Sequence, residues 1–294
     1  MDGTNKALFG PGGNCDRFAL EGNKNSQQAP AWVRSNGLDA YEYEAGRGVP
    51  RNLSILQAVG DEARKNGIHM SLHAPYFISL SSESPETQEQ NLRIITESLQ
   101  AAEAVGARTI VVHSGGAGKA DRRDAMKRSL DMLVRIASLS VPNGLKIGIE
   151  TMGKINQLGT VDEVIEQCLV CPDLFVPVVD FGHLNARENG CFAVPDDYTR
   201  VFERIALALG DETARYMHCH FSKIEYTEAG EKRHLTFADN QYGPPYEPFA
   251  CAIAQNGLCP TVICESAGTQ TDDALLLKQC YLDQSGKKTN QQGG

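Results

Sequence analysis

The sequence predicts a single α/β domain built as a (β/α)8 TIM barrel, and three observations predict it. Short β-rich runs alternate with longer helical patterns along almost the whole chain. Several runs, such as Thr109-Ile-Val-Val112 and Val176-Pro-Val-Val179, are apolar throughout, as strands covered on both faces of a parallel sheet must be. The 294 residues would by length alone suggest about two domains, but α/β barrels often run to roughly 250 residues as one unit, and a count of eight strands, each followed by a helical segment, favours one barrel.

The eight runs are Ala7–Gly12, Tyr41–Ala45, His69–Ala74, Thr109–Ser114, Lys146–Thr151, Phe175–Phe181, Tyr216–Ser222 and Thr261–Ser266. A poorly defined helical layer over 16–36 follows the first, and a helix near 52–66 follows the second. After the third, Ser84 caps a helix with Pro85 at its first position, where the missing N–H does no harm. Its stripe is Leu92, Ile95, Leu99 and Ala102, at spacings of three and four. Met126, Leu130, Leu133, Val134 and Ala137 repeat that spacing after the fourth run. Thr160 to Glu163 reads as a capping box before Val164, Ile165, Cys168 and Leu169. Further helices are expected near 197–209, 246–256 and 271–282. Gly10-Pro-Gly-Gly13 lacks the GxGxxG spacing, which argues against a doubly wound, nucleotide-binding sheet. The barrel is expected to occupy residues 1–284, with 285–294 as a disordered tail.

The chain carries 28 Lys and Arg against 37 Asp and Glu, a formal net charge of −9. That balance excludes a generally basic surface that wraps nucleic acid, though not a nuclease whose positive charge sits in one metal-filled cleft. Nine cysteines, an odd number spread over a long chain, do not make a disulfide framework. The lone Cys168-Leu-Val-Cys171 lacks the second half of a zinc-ribbon pattern and is read as structural. No apolar leader follows Met1, and no apolar run approaches the roughly 20 residues that span a bilayer. A cytoplasmic protein with no membrane partner is expected, with a monomer as the default.

In such a barrel, function sits at the C-terminal ends of the strands. Those ends collect His73, His113, Glu150, Asp180 with His183 just beyond, His218 and His220, and Glu265, while a polar loop adds His234. A single histidine in an apolar run is usually a satisfied core residue. Many imidazoles converging with carboxylates on one rim read instead as metal ligands. Neutral imidazole and carboxylate suit Zn2+, Mn2+ or Fe2+, and the mixed set leans to zinc. The ligands exceed what one four-coordinate ion uses, so more than one ion is expected. His218 shares a strand face with His220 and is read as lying deeper, behind the ligands or in packing. The run Gly115-Gly-Ala-Gly118-Lys119 is either a backbone N–H nest for phosphate or a flexible connection.

The motifs His73-Ala-Pro-Tyr76, His113-Ser-Gly-Gly, Glu150-Thr, Asp180-Phe-Gly-His183, His220-Phe-Ser-Lys, Arg233-His234 and Cys264-Glu265 stand in the order and spacing of the endonuclease IV family. The sequence resembles that family over about residues 7–282. The resemblance implies a zinc-dependent apurinic/apyrimidinic endonuclease acting on double-stranded DNA. Carried over position by position, His73, His113 and Glu150 would hold a first zinc. Glu150, as the catalytic residue, would bridge to a second, completed by Asp180, His220 and Glu265. His183 and His234 would bind a third. In such enzymes a metal-held hydroxide attacks the phosphorus 5′ to an abasic nucleotide and leaves a 3′-hydroxyl. Tyr76 and Phe77 stand where the family places side chains that enter the DNA stack, or else they simply cap the barrel mouth. Arg47 is a third candidate DNA contact, or a solvated loop arginine.

Two positions depart from the family pattern. Its third zinc takes an aspartate two residues before the loop histidine; here that position is Lys232, with Glu231 beside it. Protonated lysine cannot ligate. Either Glu231 moves into place, or the third site is weak or absent and Lys232 contacts phosphate. Ser114 replaces the family's proline after the strand-four histidine. The rival reading is a sugar isomerase or epimerase of the xylose-isomerase-like superfamily, which holds one divalent ion with the set that Glu150, Asp180, His220 and Glu265 would fill equally well. It has no need of His73, His113, His183 or His234, so those residues discriminate. A non-catalytic binding barrel is a third reading, disfavoured by how many ligand positions are filled.

Overall fold

The computed structural model describes residues 5–118 and 121–292. In chain order its strands are β1 (Leu8–Pro11), β2 (Ala40–Glu44), β3 (His69–His73), β4 (Thr109–Val112), β5 (Lys146–Glu150), β6 (Phe175–Asp180), β7 (His218–Phe221), β8 (Ile224–Thr227), β9 (Gly230–His234) and β10 (Thr261–Cys264). Eight of them form one parallel sheet in the order β1-β10-β7-β6-β5-β4-β3-β2, and β8 and β9 form a separate antiparallel hairpin. All eight expected strands are present, each ending one or two residues before the predicted limit.

The ring closes between β1 and β2 through a single bridge from Gly12 to Glu42. Asp39 N–H donates to the Phe9 oxygen at 2.9 Å and Gly13 N–H to the Glu42 oxygen at 3.0 Å. Gly10 makes that seam possible, because a Cβ there would stand 1.8 Å from the Ala40 oxygen. Gly10, inside β1, therefore serves close strand approach.

The connections carry α1 (Asp16–Leu20), a 3-10 turn (Ser26–Gln28), α2 (Ala29–Ser35), α3 (Leu53–Asn66), α4 (Pro85–Val105), α5 (Arg122–Ala137), α6 (Val161–Cys168), α7 (Phe181–Arg187), α8 (Pro195–Leu209), α9 (Asp211–Arg215), α10 (Tyr246–Gln255) and α11 (Gln270–Gln292). Ser84 Oγ accepts from Thr87 N–H at the start of α4, and Gly106 ends that helix at φ 73°. The Thr160–Glu163 capping box forms as expected. Outward-facing strand residues such as Phe9, Leu72, Ile110, Val179 and Val262 are buried beneath these helices in one continuous core.

Several expectations are corrected. Val134 is 57% exposed and Leu169 lies beyond the end of α6, so neither belongs to its predicted stripe. The loop bearing His234 is the β8–β9 hairpin. The helix α11 runs to Gln292. Lys119, in the predicted glycine-rich nest, lies outside the described residues. None of the nine cysteines is in a disulfide, and among the described residues no helix is long and apolar enough to cross a membrane.

Candidate metal centre

Side chains alternate across a strand, so residues two apart share the barrel interior. At the C-terminal end of that interior, Glu150 at the tip of β5 is the hub. Its Oε2 lies 2.9 Å from His113 Nε2 and 3.4 Å from His73 Nε2. His73 Nδ1 donates to its neighbour's carbonyl, Ala74 O, at 2.7 Å, which leaves Nε2 free to ligate. The other carboxylate oxygen, Oε1, lies 3.0 Å from His220 Nδ1, and that same nitrogen is 3.3 Å from Glu265 Oε1.

Asp180 joins this second set from the tip of β6. No loop separates β6 from α7: Asp180 Oδ1 accepts the His183 N–H at 2.8 Å and caps the helix. The turn carries His183 back over the mouth, where its Nδ1 donates to Thr151 O at 2.9 Å and turns Nε2 outward.

The third set is His183, Glu231 and His234. His183 Nε2 stands 3.6 Å from Glu231 Oε2, and His234 Nε2 3.9 Å from Glu231 Oε1. His234 Nδ1 is held by Ser222 Oγ at 2.9 Å. In a regular strand the partner of His234 on the same face would be Lys232. Here the hairpin pairs Glu225 with Arg233 but Tyr226 with Glu231, so Lys232 is the extra residue of a β-bulge. The bulge swings Glu231 onto the face of His234 and sends Lys232 outward, where it pairs with Glu225 on the exposed side. Of the two sequence alternatives, Glu231 is the one in place; Lys232 points away from the site. Gly153 lets the hairpin settle this closely, since a Cβ there would meet Glu231 Cβ at 2.6 Å.

The electrostatics are those of a site built to receive cations. Burial works to raise the Glu150 carboxyl, but His220, His113 and His183 outweigh it and hold it well below its usual range. Burial pushes Glu265 well above that range, with Glu150, Asp180 and Glu44 adding and His220 opposing. Burial would also strip the proton from His73, yet Glu150 and Glu44 raise it to about 10. Glu150 Oε2 and Asp180 Oδ2 are buried with no hydrogen-bond partner. Within each set the ligand atoms lie within 4.8 Å of one another. Buried carboxylates facing imidazole nitrogens, with lone pairs unused, fit divalent ions of the zinc class.

Tyr76 and Phe77 are 59% and 49% exposed, so they project from the rim rather than plug the barrel. The loop after β2 lies against them: a Cβ on Gly46 would touch the Tyr76 ring at 3.0 Å, and the exposed Arg47 follows. Ser114, where the resembled family has proline, donates to Gln167 Oε1 at 2.9 Å and ties β4 to α6. Two acidic residues at the site were missed by sequence reasoning, Glu42 and Glu44 on β2. Their signal was the alternation Tyr41-Glu-Tyr-Glu44, which turns both carboxylates to one face. Glu42 is 3.0 Å from His218, which does lie below the ligands as expected.

An uncharacterised protein of Methanocaldococcus jannaschii is 30% identical over 251 residues, covering 85% of this chain and 89% of that one. A probable endonuclease 4 of Staphylococcus carnosus is 24% identical over 209 residues, covering 67% of this chain and 62% of that one. Among solved structures, endonuclease IV from Thermus thermophilus superposes with a TM-score of 0.67 at 17% identity, covering 95% of this chain and 99% of that one. A D-tagatose 3-epimerase-like protein superposes with a TM-score of 0.68 at 18% identity, covering 96% and 99%. The two structural likenesses establish a shared fold. The family described as xylose isomerase-like TIM barrel matches residues 30–280, most of the chain, and the protein belongs to that family.

Proposed function

We propose that this chain is a zinc-dependent phosphodiester hydrolase that incises double-stranded DNA 5′ to abasic sites and leaves a 3′-hydroxyl. The observation that carries this reading is the pair of extra ligand sets, His73–His113–Glu150 and His183–Glu231–His234, beside the Glu150–Asp180–His220–Glu265 quartet. A barrel that moves a proton next to a sugar carbonyl needs the quartet alone. When bound, zinc lowers the pKa of water to about 7 and supplies positive charge to phosphoryl oxygens.

The chain's residues do the rest. Glu150 turns one oxygen to His113 and the other to His220, and so sets the spacing of two sets. Asp180 fixes the first turn of α7 and with it His183. The half-exposed rings of Tyr76 and Phe77 suit the gap left by a missing base, where extrusion of the nucleotide is least costly. Arg47 beside them offers charge to the DNA backbone. The similarity to probable endonuclease 4 sequences supports the same reading.

A second reading, metal-dependent sugar epimerisation, is favoured by the quartet itself and by the epimerase-like structural neighbours. Zinc-loaded protein should be assayed on duplex DNA carrying one abasic site and, in parallel, on ketoses. Incision on the 5′ side, abolished by Glu150→Gln, is the expected result. Intact DNA together with ketose interconversion gives the second reading instead.

A further inference from the structure

His220 is oriented differently from the other histidines of the centre. His73 and His183 turn Nε2 towards their sets and anchor Nδ1 on backbone carbonyls. His220 turns Nδ1 towards Glu150 and Glu265, so its Nε2 points down into the barrel. There it lies 2.9 Å from Glu42 Oε1, while Glu42 Oε2 is hydrogen-bonded to His218 Nε2 at 3.0 Å. Glu42 and His220 are both 0% exposed, and Glu42 Oε1 and His220 Nε2, in contact at 2.9 Å but out of line for a hydrogen bond with each other, have no hydrogen-bond partner elsewhere. A carboxylate this deep is retained only where protons are held against it.

We propose that Glu42 is a positioning residue for the metal centre: its carboxylate faces Nε2 of His220 and keeps the ring proton there, which leaves Nδ1 as the ligating atom, and His218 holds Glu42 in place. A carboxylate behind a metal-bound imidazole fixes the ring's tautomer and orientation and makes the ligating nitrogen more basic. Glu42 reaches this place because β2 is adjacent to the seam with β1, and its period of two aims the side chain across the barrel at β7. The competing arrangement is a further ion among Glu42, His218 and His220. It requires the His220 ring to give up both protons and ligate through both nitrogens, in a compartment closed to solvent.

The inference rests on the second set holding a divalent ion, but not on any substrate. The test is titration of the metal-free full-length protein with Co2+ alone, read by chelator competition and by the visible absorption of the bound ion. Wild-type protein should take up Co2+ tightly. Glu42→Gln, which keeps the shape and removes the charge, should weaken one equivalent about 10- to 100-fold and shift its absorption band, with the others unchanged. His218→Gln, which leaves Glu42 present but untethered, should weaken the same equivalent several-fold, and it carries the test if Glu42→Gln does not fold. Unchanged affinity and spectrum in a folded variant overturn the role of Glu42 while leaving the metal centre standing. Loss of one whole equivalent with the remainder unaltered overturns it in favour of Glu42 as a ligand. A wild-type chain that takes up no Co2+ overturns the centre as well.

Discussion

Replacing Glu231 with glutamine should cost the third ligand set its ion, whereas replacing Lys232 with alanine should leave that ion in place. Glu231 stands 3.6 Å from His183 Nε2 and 3.9 Å from His234 Nε2, with its side chain 14% exposed. At about 4 Å and an effective dielectric of about 20, a unit charge pair is worth about 4 kcal/mol, which is about three decades in a dissociation constant. Glutamine keeps one carbonyl oxygen that can still ligate, and solvent screens part of the charge, so a weakening of about 100-fold is the expected size. Lys232, 57% exposed on the opposite face, makes only a surface pair with Glu225, of the kind worth about 0–1 kcal/mol. Each variant should be equilibrated against zinc buffered over a range of free concentrations and its retained equivalents counted by elemental analysis. Full retention by Glu231→Gln, or loss by Lys232→Ala, would refute the role assigned to the bulge.

Gly10→Ala forces a Cβ against the Ala40 oxygen at 1.8 Å and should destabilise the fold by about 3 kcal/mol, the upper end for overpacking, measured by urea unfolding. Tyr76→Ala and Phe77→Ala should alter stability by less than about 0.5 kcal/mol but weaken binding to abasic duplex about tenfold or more per ring; anisotropy with abasic and intact duplexes checks this, and equal binding by the double variant removes the wedge role. Burial works to raise Glu163, but the Arg122 guanidinium and the N–H groups of Gly159 and Thr160 outweigh it and hold its carboxyl below the usual range. A lowered folded-state pKa means the stabilisation is present above the unfolded value of about 4.3 and is lost as pH falls through the folded one. Glu163→Gln should therefore lower stability at neutral pH and flatten the acid limb of unfolding curves; an unchanged limb contradicts the assignment.

The alternation of strands and helices was legible because burial on both faces writes itself as apolar runs, and Ser84 and Thr160 marked their helix starts with side chains that cap. The histidines of the candidate ligand sets were legible because each lies at, just before or just after the end of a strand. Glu42 was not, although its strand was recognised. An alternating strand normally turns its polar face to water, and only a barrel with a polar interior reverses that; its partner His218 lies 176 residues away in sequence. The choice between Glu231 and Lys232 was also closed to sequence reasoning. A bulge is a backbone event, and nothing in Gly230-Glu-Lys-Arg-His234 announces which residue is the extra one. The start of α7 at Phe181 was hidden for a related reason: the strand passes into the helix at Asp180 with no punctuating turn residues.

Asp180 has one carboxylate and two obligations. One oxygen holds the first turn of α7 through the His183 N–H, and the other, with no hydrogen bond, lies 3.3 Å from His183 Nδ1 in the set it shares with Glu150 and His220. Anything that draws the free oxygen toward the second set therefore tugs on the peptide that carries a donor of the third. Should both sets hold ions, Asp180 would link them, alongside the Glu150–His183 contact at 3.4 Å, and by reciprocity whatever the second set gains or loses when the third is filled, the third must gain or lose in equal measure. Asparagine at 180 keeps an oxygen for the cap and breaks this link, while alanine removes cap and link together, so comparing the two separates a fault in transmission from a fault in the frame.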